Sequence, residues 1–146
     1  MKNIVIGADH RGYALKEYLI SCDEIGDCHI SWIDVGTDGN DRADYPKYAE
    51  EAIDVLLSGD AELGILLCGT GVGMSIAANR FRHIYASLAW NEEVAQRARE
   101  EDNANVLVLP ADYLDTFETM RIVHAWLQAT FHGERYQYRI EQLDSL

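Results

Sequence analysis

The chain alternates short apolar runs with longer segments in which apolar residues recur at helical spacing. Ile4-Val5-Ile6-Gly7-Ala8 reads as a buried strand closing at Asp9-His10-Arg11-Gly12. A helix is predicted from about Tyr13 to Ser21, with Leu15, Tyr18 and Leu19 on one face. Ile30 to Gly36 alternates like a strand near a sheet edge, and Thr37 to Ala43 is a polar loop. Pro46 suits the first position of a second helix, which Ser58-Gly59 stops. Leu63 to Cys68 is the most core-like strand, running into Gly69-Thr70-Gly71-Val72-Gly73 and a helix from about Met74 to Arg80. His83 to Ala89 reads as a fourth strand, Glu92 to Glu101 as a fourth helix, and Val106 to Leu109 as a fifth strand halted by Pro110. An amphipathic helix from about Leu114 to Phe131 follows, and a last helix fills the stretch after Gly133.

Strands alternating with helices predict an α/β protein, a Rossmann-like three-layer α/β/α sandwich around a five-stranded parallel sheet. With no repeat, low-complexity tract or long linker, residues 1–146 are expected to form a single domain. The expected strand order is 2-1-3-4-5, the common arrangement at this size, which reverses between the first and third strands. Ligands bind beyond the carboxyl ends of the strands at such a reversal. The segments expected there, Asp9-His10-Arg11 and Cys68 to Gly73, carry more chemistry than the other loops.

Charge narrows the partners. Twelve Lys and Arg stand against 25 Asp and Glu in 146 residues, a net charge of −13. Such a chain lacks the basic footprint that draws a protein to nucleic acid or to an anionic membrane. No apolar run approaches the roughly 18–20 residues of a membrane span. The three cysteines show no CxxC or Cys/His spacing, so neither a disulfide framework nor a metal site is expected. The chain reads as soluble, reduced and cytoplasmic. Cys22 and Cys28, at a helix end and in a loop, and His29, His83, His124 and His132 read as structural.

Three glycines in five residues let backbone amides converge as an anion nest, although the same pattern also serves plain left-handed turns. This is neither a dinucleotide fingerprint nor a P-loop, because no Gly-Lys-Ser/Thr follows. Cys68 at the strand end is either a small buried apolar residue or a nucleophilic thiol; the following helix is expected to lower its pKa. Asp9 either caps the next helix or handles protons beside His10, whose ring suits proton or anion contact near neutral pH. Arg135 and Arg139, one helical turn apart, form either a solvated face with Glu134 and Glu141 or a clamp for a phosphate. Together these parts fit proton transfer beside a carbonyl of a phosphorylated substrate.

The residues Gly7-Ala8-Asp9-His10, Asp34-Val35-Gly36-Thr37 and Asp44-Tyr45-Pro46 occur in order along the chain. They are followed by Cys68 to Gly73 with Ser75-Ile76-Ala77-Ala78-Asn79, by Asn103-Ala104-Asn105-Val106, and by Gly133 with Arg135 and Arg139. With these motifs the chain resembles the ribose-5-phosphate isomerase B and galactose-6-phosphate isomerase family. The resemblance implies an aldose–ketose isomerase that works without a cofactor through a cis-enediolate, with ribose 5-phosphate as the first substrate to expect. Cys68 would be the base, while the amides of Gly69, Gly71, Val72 and Gly73, with Thr70, would hold the enediolate oxygen, and Ser75 would contact the substrate. Asp9 would move hydroxyl protons, and Tyr45 would line the pocket. His10, Arg135 and Arg139 would hold the phosphate. The site would be shared between two subunits of a homodimer, itself able to pair into a tetramer, with the C-terminal helix (about 134–146) reaching across.

The chain departs from that pattern in places. The family's ribose isomerases carry His-Asn where this chain has Glu101-Asp102, and that histidine is credited with opening the sugar ring. Glu101 is therefore the candidate ring-opening residue, with Asp102 beside the substrate. Tyr85 stands where arginine is common, Glu134 replaces a glycine, and Arg11 adds charge next to the Asp-His pair. Alternatives in the same chemistry are a tetrose 4-phosphate, which needs no ring opening, or a hexose 6-phosphate. A non-catalytic sugar-phosphate-binding subunit is the alternative of another class.

Overall fold

A computed structural model describes residues 1–146. Its parallel strands are β1 (Lys2–Ala8), β3 (Cys28–Asp34), β4 (Leu63–Cys68), β5 (Ala86–Leu88) and β6 (Val106–Pro110), joined by the two-residue β2 (Glu24–Ile25). The helices are α1 (Tyr13–Ile20), α2 (Tyr45–Ser58), α3 (Val72–Ala78), α4 (Glu92–Asp102), α5 (Thr116–Gln128) and α6 (Arg135–Asp144). A 3₁₀ turn at Ala111–Tyr113 connects β6 to α5. No helix is long and apolar enough to cross a membrane.

The α/β architecture stands as expected, but two details of the sheet do not. The order is β2-β3-β1-β4-β6-β5. Numbering the parallel strands alone, this is 2-1-3-5-4 rather than 2-1-3-4-5: the last two exchange places. The physical reason lies in their composition. Val106–Pro110 is buried at every position and takes a place beside β4, pairing Gly64 with Val106. Ala86–Leu88, short and only half-buried, becomes the edge. The sheet also has a sixth strand, because Glu24-Ile25 pairs antiparallel with His29 and Cys28. Cys28 consequently begins a strand instead of lying in a loop.

Helix limits follow local capping. Gly59 ends α2 in the left-handed conformation, φ 87°, its N–H donating to Leu56 O. The Asn91 side chain accepts the Val94 N–H and starts α4. The predicted helix from Leu114 to Phe131 is shorter, Thr116–Gln128, because Asp115 and Glu118 form a capping box.

Two apolar clusters cover the two faces of the sheet. One gathers Ile4, Ile6, Leu19, Ile65, Leu107, Leu109 and the fully buried Trp126 of α5. The other packs Val5, Leu66, Val108 and Cys68 against Ala49, Ile53, Met74 and Ala78 from α2 and α3. The reversal between β1 and β4 survives the changed order. It places the turn after β1 and the glycine loop after β4 side by side at the carboxyl edge.

Candidate active site

The carboxyl edge gathers most of the predicted residues. Cys68 ends β4 at 3% exposure, and backbone amides of Met74, Gly71 and Gly73 are directed at it. Gly71 takes φ 78°, and a Cβ there would collide with Leu88, so the loop needs glycine at this point. Tyr45, the first residue of α2, lies flat against Gly73, where a Cβ would sit 2.6 Å from its Cζ. Thr70 is exposed, and its Oγ1 accepts the Val72 N–H at 3.2 Å. Ser75 donates to Gly71 O at 2.8 Å, bracing the loop from within α3.

Burial pushes the Cys68 thiol pKa up, and the nearby Asp9 charge adds to this. The Met74, Gly71 and Gly73 amides pull it down but do not prevail. The expectation that the helix lowers the pKa is therefore corrected: desolvation outweighs the loop dipoles. Asp9 is itself 6% exposed. Its Oδ1 accepts the Arg11 N–H at 3.0 Å and the Gly12 N–H at 3.2 Å, so it caps the turn while standing beside Cys68. His10 meets Ala43, its Nδ1 lying 3.2 Å from both Ala43 N and Ala43 O. Nδ1 is thus engaged by the Ala43 backbone, while Nε2 has no hydrogen-bond partner in the chain.

The remaining predicted residues lie elsewhere. Glu101 and Asp102 end α4, which returns to the amino ends of the strands. Asn105, three residues on, accepts the Gly64 N–H at 2.9 Å. Gly64 and Cys68 are four strand residues apart, roughly 13 Å at 3.3 Å each. Arg135 and Arg139 belong to this end too, with their guanidinium carbons 4.9 and 5.7 Å from the Tyr136 ring centre. Glu101 pairs with Arg97 at 3.2 Å. Partial burial and then the Glu101 charge push the Asp102 pKa up, against the pull of Arg139 and Arg97. No hydrogen bond or ion pair joins this cluster to the Cys68 cluster within one chain. Arg135 and Arg139 make no ion pair with Glu134 or Glu141, so the solvated-pair alternative finds no contact.

The amino end also holds a cleft of about 550 Å³ lined by residues including Arg82, His83, Tyr85, Asp102 and Asp144. There Tyr85 donates to Asp144 Oδ1 at 2.6 Å, tying the end of α6 to the sheet. Burial, then this carboxylate, holds the Tyr85 phenol up at about 12. Sequence reasoning missed that anchor, and it missed Ala43 and Asp112 at the carboxyl edge. None carries a local motif; each reaches its partner through the fold.

A family model described as Ribose/Galactose Isomerase matches residues 4–143. The chain belongs to the ribose/galactose isomerase family. Among its relatives is ribose-5-phosphate isomerase B of Escherichia coli K12, 37% identical over 146 residues, covering 100% of this chain and 97% of the relative. A ribose 5-phosphate isomerase structure from Thermotoga maritima superposes with a TM-score of 0.91 at 40% identity, covering 99% of each chain. The Mycoplasma genitalium ribose-5-phosphate isomerase B, solved with bound ribulose-5-phosphate, is 38% identical with a TM-score of 0.86. That alignment covers 98% of this chain and 94% of the other. Membership makes the chain an isomerase, an intramolecular oxidoreductase, of the sugar-phosphate class.

Proposed function

We propose that this family member interconverts D-ribose 5-phosphate and D-ribulose 5-phosphate without a cofactor, with Cys68 as the base. The observation that carries this reading is the buried Cys68 sulfur under three convergent amides, with Asp9 beside it. The Cys68 thiolate removes the proton from C2 of the open-chain aldose, and the C1 carbonyl becomes an enediolate oxygen. Amides of the Gly69–Gly73 loop receive that charge. The sulfur returns its proton to C1, while Asp9 carries the O2 hydroxyl proton to O1. A raised thiol pKa suits this step, because it makes the thiolate a stronger base toward carbon.

His10 and Arg11 hold the phosphate side of the carboxyl edge, and Arg135 and Arg139 complete the clamp from a second copy of the chain. A homodimer is required on this reading, because one chain places Cys68 and the two arginines at opposite ends of its sheet. Exposed Val72 and Ile76 on α3 flank the glycine loop and offer apolar surface to that second copy.

A specific contact supports a second substrate. Glu101 accepts the Arg97 Nε–H at 3.2 Å, so its carboxylate is engaged within its own helix rather than free to reach a ring oxygen. Asp102, whose pKa is raised, is the better donor of the two. If neither serves, the natural substrate is a tetrose 4-phosphate, which forms no furanose ring. Proton NMR in heavy water with ribose 5-phosphate and erythrose 4-phosphate separates these readings. Ketose formation with deuterium entering from solvent, lost in Cys68→Ala, is the expected result for ribose 5-phosphate. Turnover of the tetrose alone would move the assignment to linear substrates. Binding with no exchange of the C2 proton would overturn catalysis.

A further inference from the structure

Asp112 has no place in the reaction just described, yet it touches the active loop twice. It lies in the turn after β6, and its N–H donates to Gly69 O at 2.9 Å. Its carboxylate pairs with the Arg11 guanidinium. Arg11 comes from the turn after β1, where its N–H holds Asp9 Oδ1. A Cβ built on Gly69 would lie 2.8 Å from Asp112 Oδ2 and 2.9 Å from Arg11 Nε. The pair thus lies across Gly69, and only a residue without a side chain fits beneath it. Three segments from the adjacent strands β1, β4 and β6 meet at this one residue, next to Cys68.

Stability does not account for the contact. The side chains are 56% and 30% exposed, and ion pairs so exposed contribute about 0–1 kcal/mol. Its location is what matters, because Gly69 opens the loop whose Gly71, Gly73 and Met74 amides face the sulfur. A shift of about 1 Å in such groups costs on the order of a hundredfold in rate.

We propose that Asp112 is a positioning residue of the isomerase: with Arg11 it straps Gly69 to the ends of β1 and β6 and keeps the loop amides on Cys68. This role rests on the Cys68 reaction proposed above and adds a residue that supports it from outside the substrate pocket.

The test compares Asp112→Asn, Arg11→Gln and the double variant, each checked by circular dichroism for native fold. Asn keeps the backbone N–H to Gly69 and the side-chain shape, so loss of folding is not the expected result; Arg11→Gln breaks the strap from the other side. One readout is the pH midpoint of Cys68 alkylation by iodoacetamide, resolved from Cys22 and Cys28 by peptide mass spectrometry. A loosened strap withdraws amides from the thiolate and moves the midpoint upward in all three variants. A simple charge effect moves it down in Asp112→Asn, up in Arg11→Gln, and leaves the double near wild type. That second pattern, or no shift in folded variants, overturns the proposal.

The other readout is turnover of ribose 5-phosphate. For Asp112→Asn the expected loss is on the order of tenfold in kcat with KM changed less. Arg11→Gln shows the same kcat loss with a raised KM, because it also gives up a phosphate contact, and the double is no worse in kcat than either single. Full activity in folded Asp112→Asn also overturns the strap. Wild-type protein without isomerase activity would refute the functional reading instead, and the alkylation pattern would still decide the strap.

Discussion

The two ends of the sheet carry the same kind of residues in opposite conditions. At the carboxyl edge, Cys68 and Asp9 are nearly buried and backbone groups contact both, so their positions are set before any ligand arrives. At the amino edge, Arg135 and Arg139 are exposed and Asp102 is only partly covered, all held mainly by Tyr136 and by charges on α4 and α6. On the reading proposed above, the first cluster is the reaction centre, with its groups placed in advance. The second is a set of charged groups that the same reading assigns to the phosphate bound by a second copy of the chain. A reacting group needs fixed amides and exclusion of water, which burial in one chain supplies. A phosphate clamp needs reach and full charge, and long exposed side chains provide both.

The contrast is broken most severely by removing the sulfur. Cys68→Ala is expected to lower turnover about a thousandfold, the scale of a lost general base, with the fold intact by circular dichroism. At the other end, Arg139→Ala is expected to raise KM about tenfold with a smaller change in kcat, as loss of a charged hydrogen bond to phosphate does. Mixing Cys68→Ala with an inactive variant lacking both arginines is expected to restore roughly a quarter of wild-type activity through mixed dimers with one intact site. No recovery on mixing would place the whole site in one chain.

The pH profile sharpens the comparison more gently. Because burial and Asp9 raise the Cys68 pKa, little thiolate exists at neutral pH, and kcat/KM for a linear substrate should rise with pH into the alkaline range. Asp9→Asn removes a negative neighbour, so the midpoint should move to lower pH even as the maximal rate falls. The smallest effect is one on stability, at Asp102. Its raised pKa means the ionised form is disfavoured by the fold, so stability is lost as pH climbs through that pKa. Asp102→Asn should therefore raise the melting temperature slightly at pH 7, with the gain vanishing as pH falls into the acid range.

Much of the molecule was legible as pattern. Runs of Ile, Val and Leu marked β1, β4 and β6 because a strand covered on both faces must be apolar throughout. The glycine loop was legible because close backbone approach and positive φ demand residues without side chains. Strand order was less so: Val106–Pro110 and Ala86–Leu88 differ in length and burial, yet which one pairs with β4 depends on the whole sheet. The pair Glu24-Ile25 was too short to show any period.

The sequence by itself determined the alternation of strands and helices, the glycine loop beside a cysteine, and the paired arginines, since each depends on neighbours close along the chain. Only the tertiary structure decided that desolvation outweighs the amides at Cys68, because burial there is made by α2, α3 and the sheet together. It alone set Asp112 and Arg11 across Gly69, and it alone put the thiol and the arginines at opposite ends. Those are relations between segments far apart in the chain, and they exist only once the parallel strands have aligned their ends.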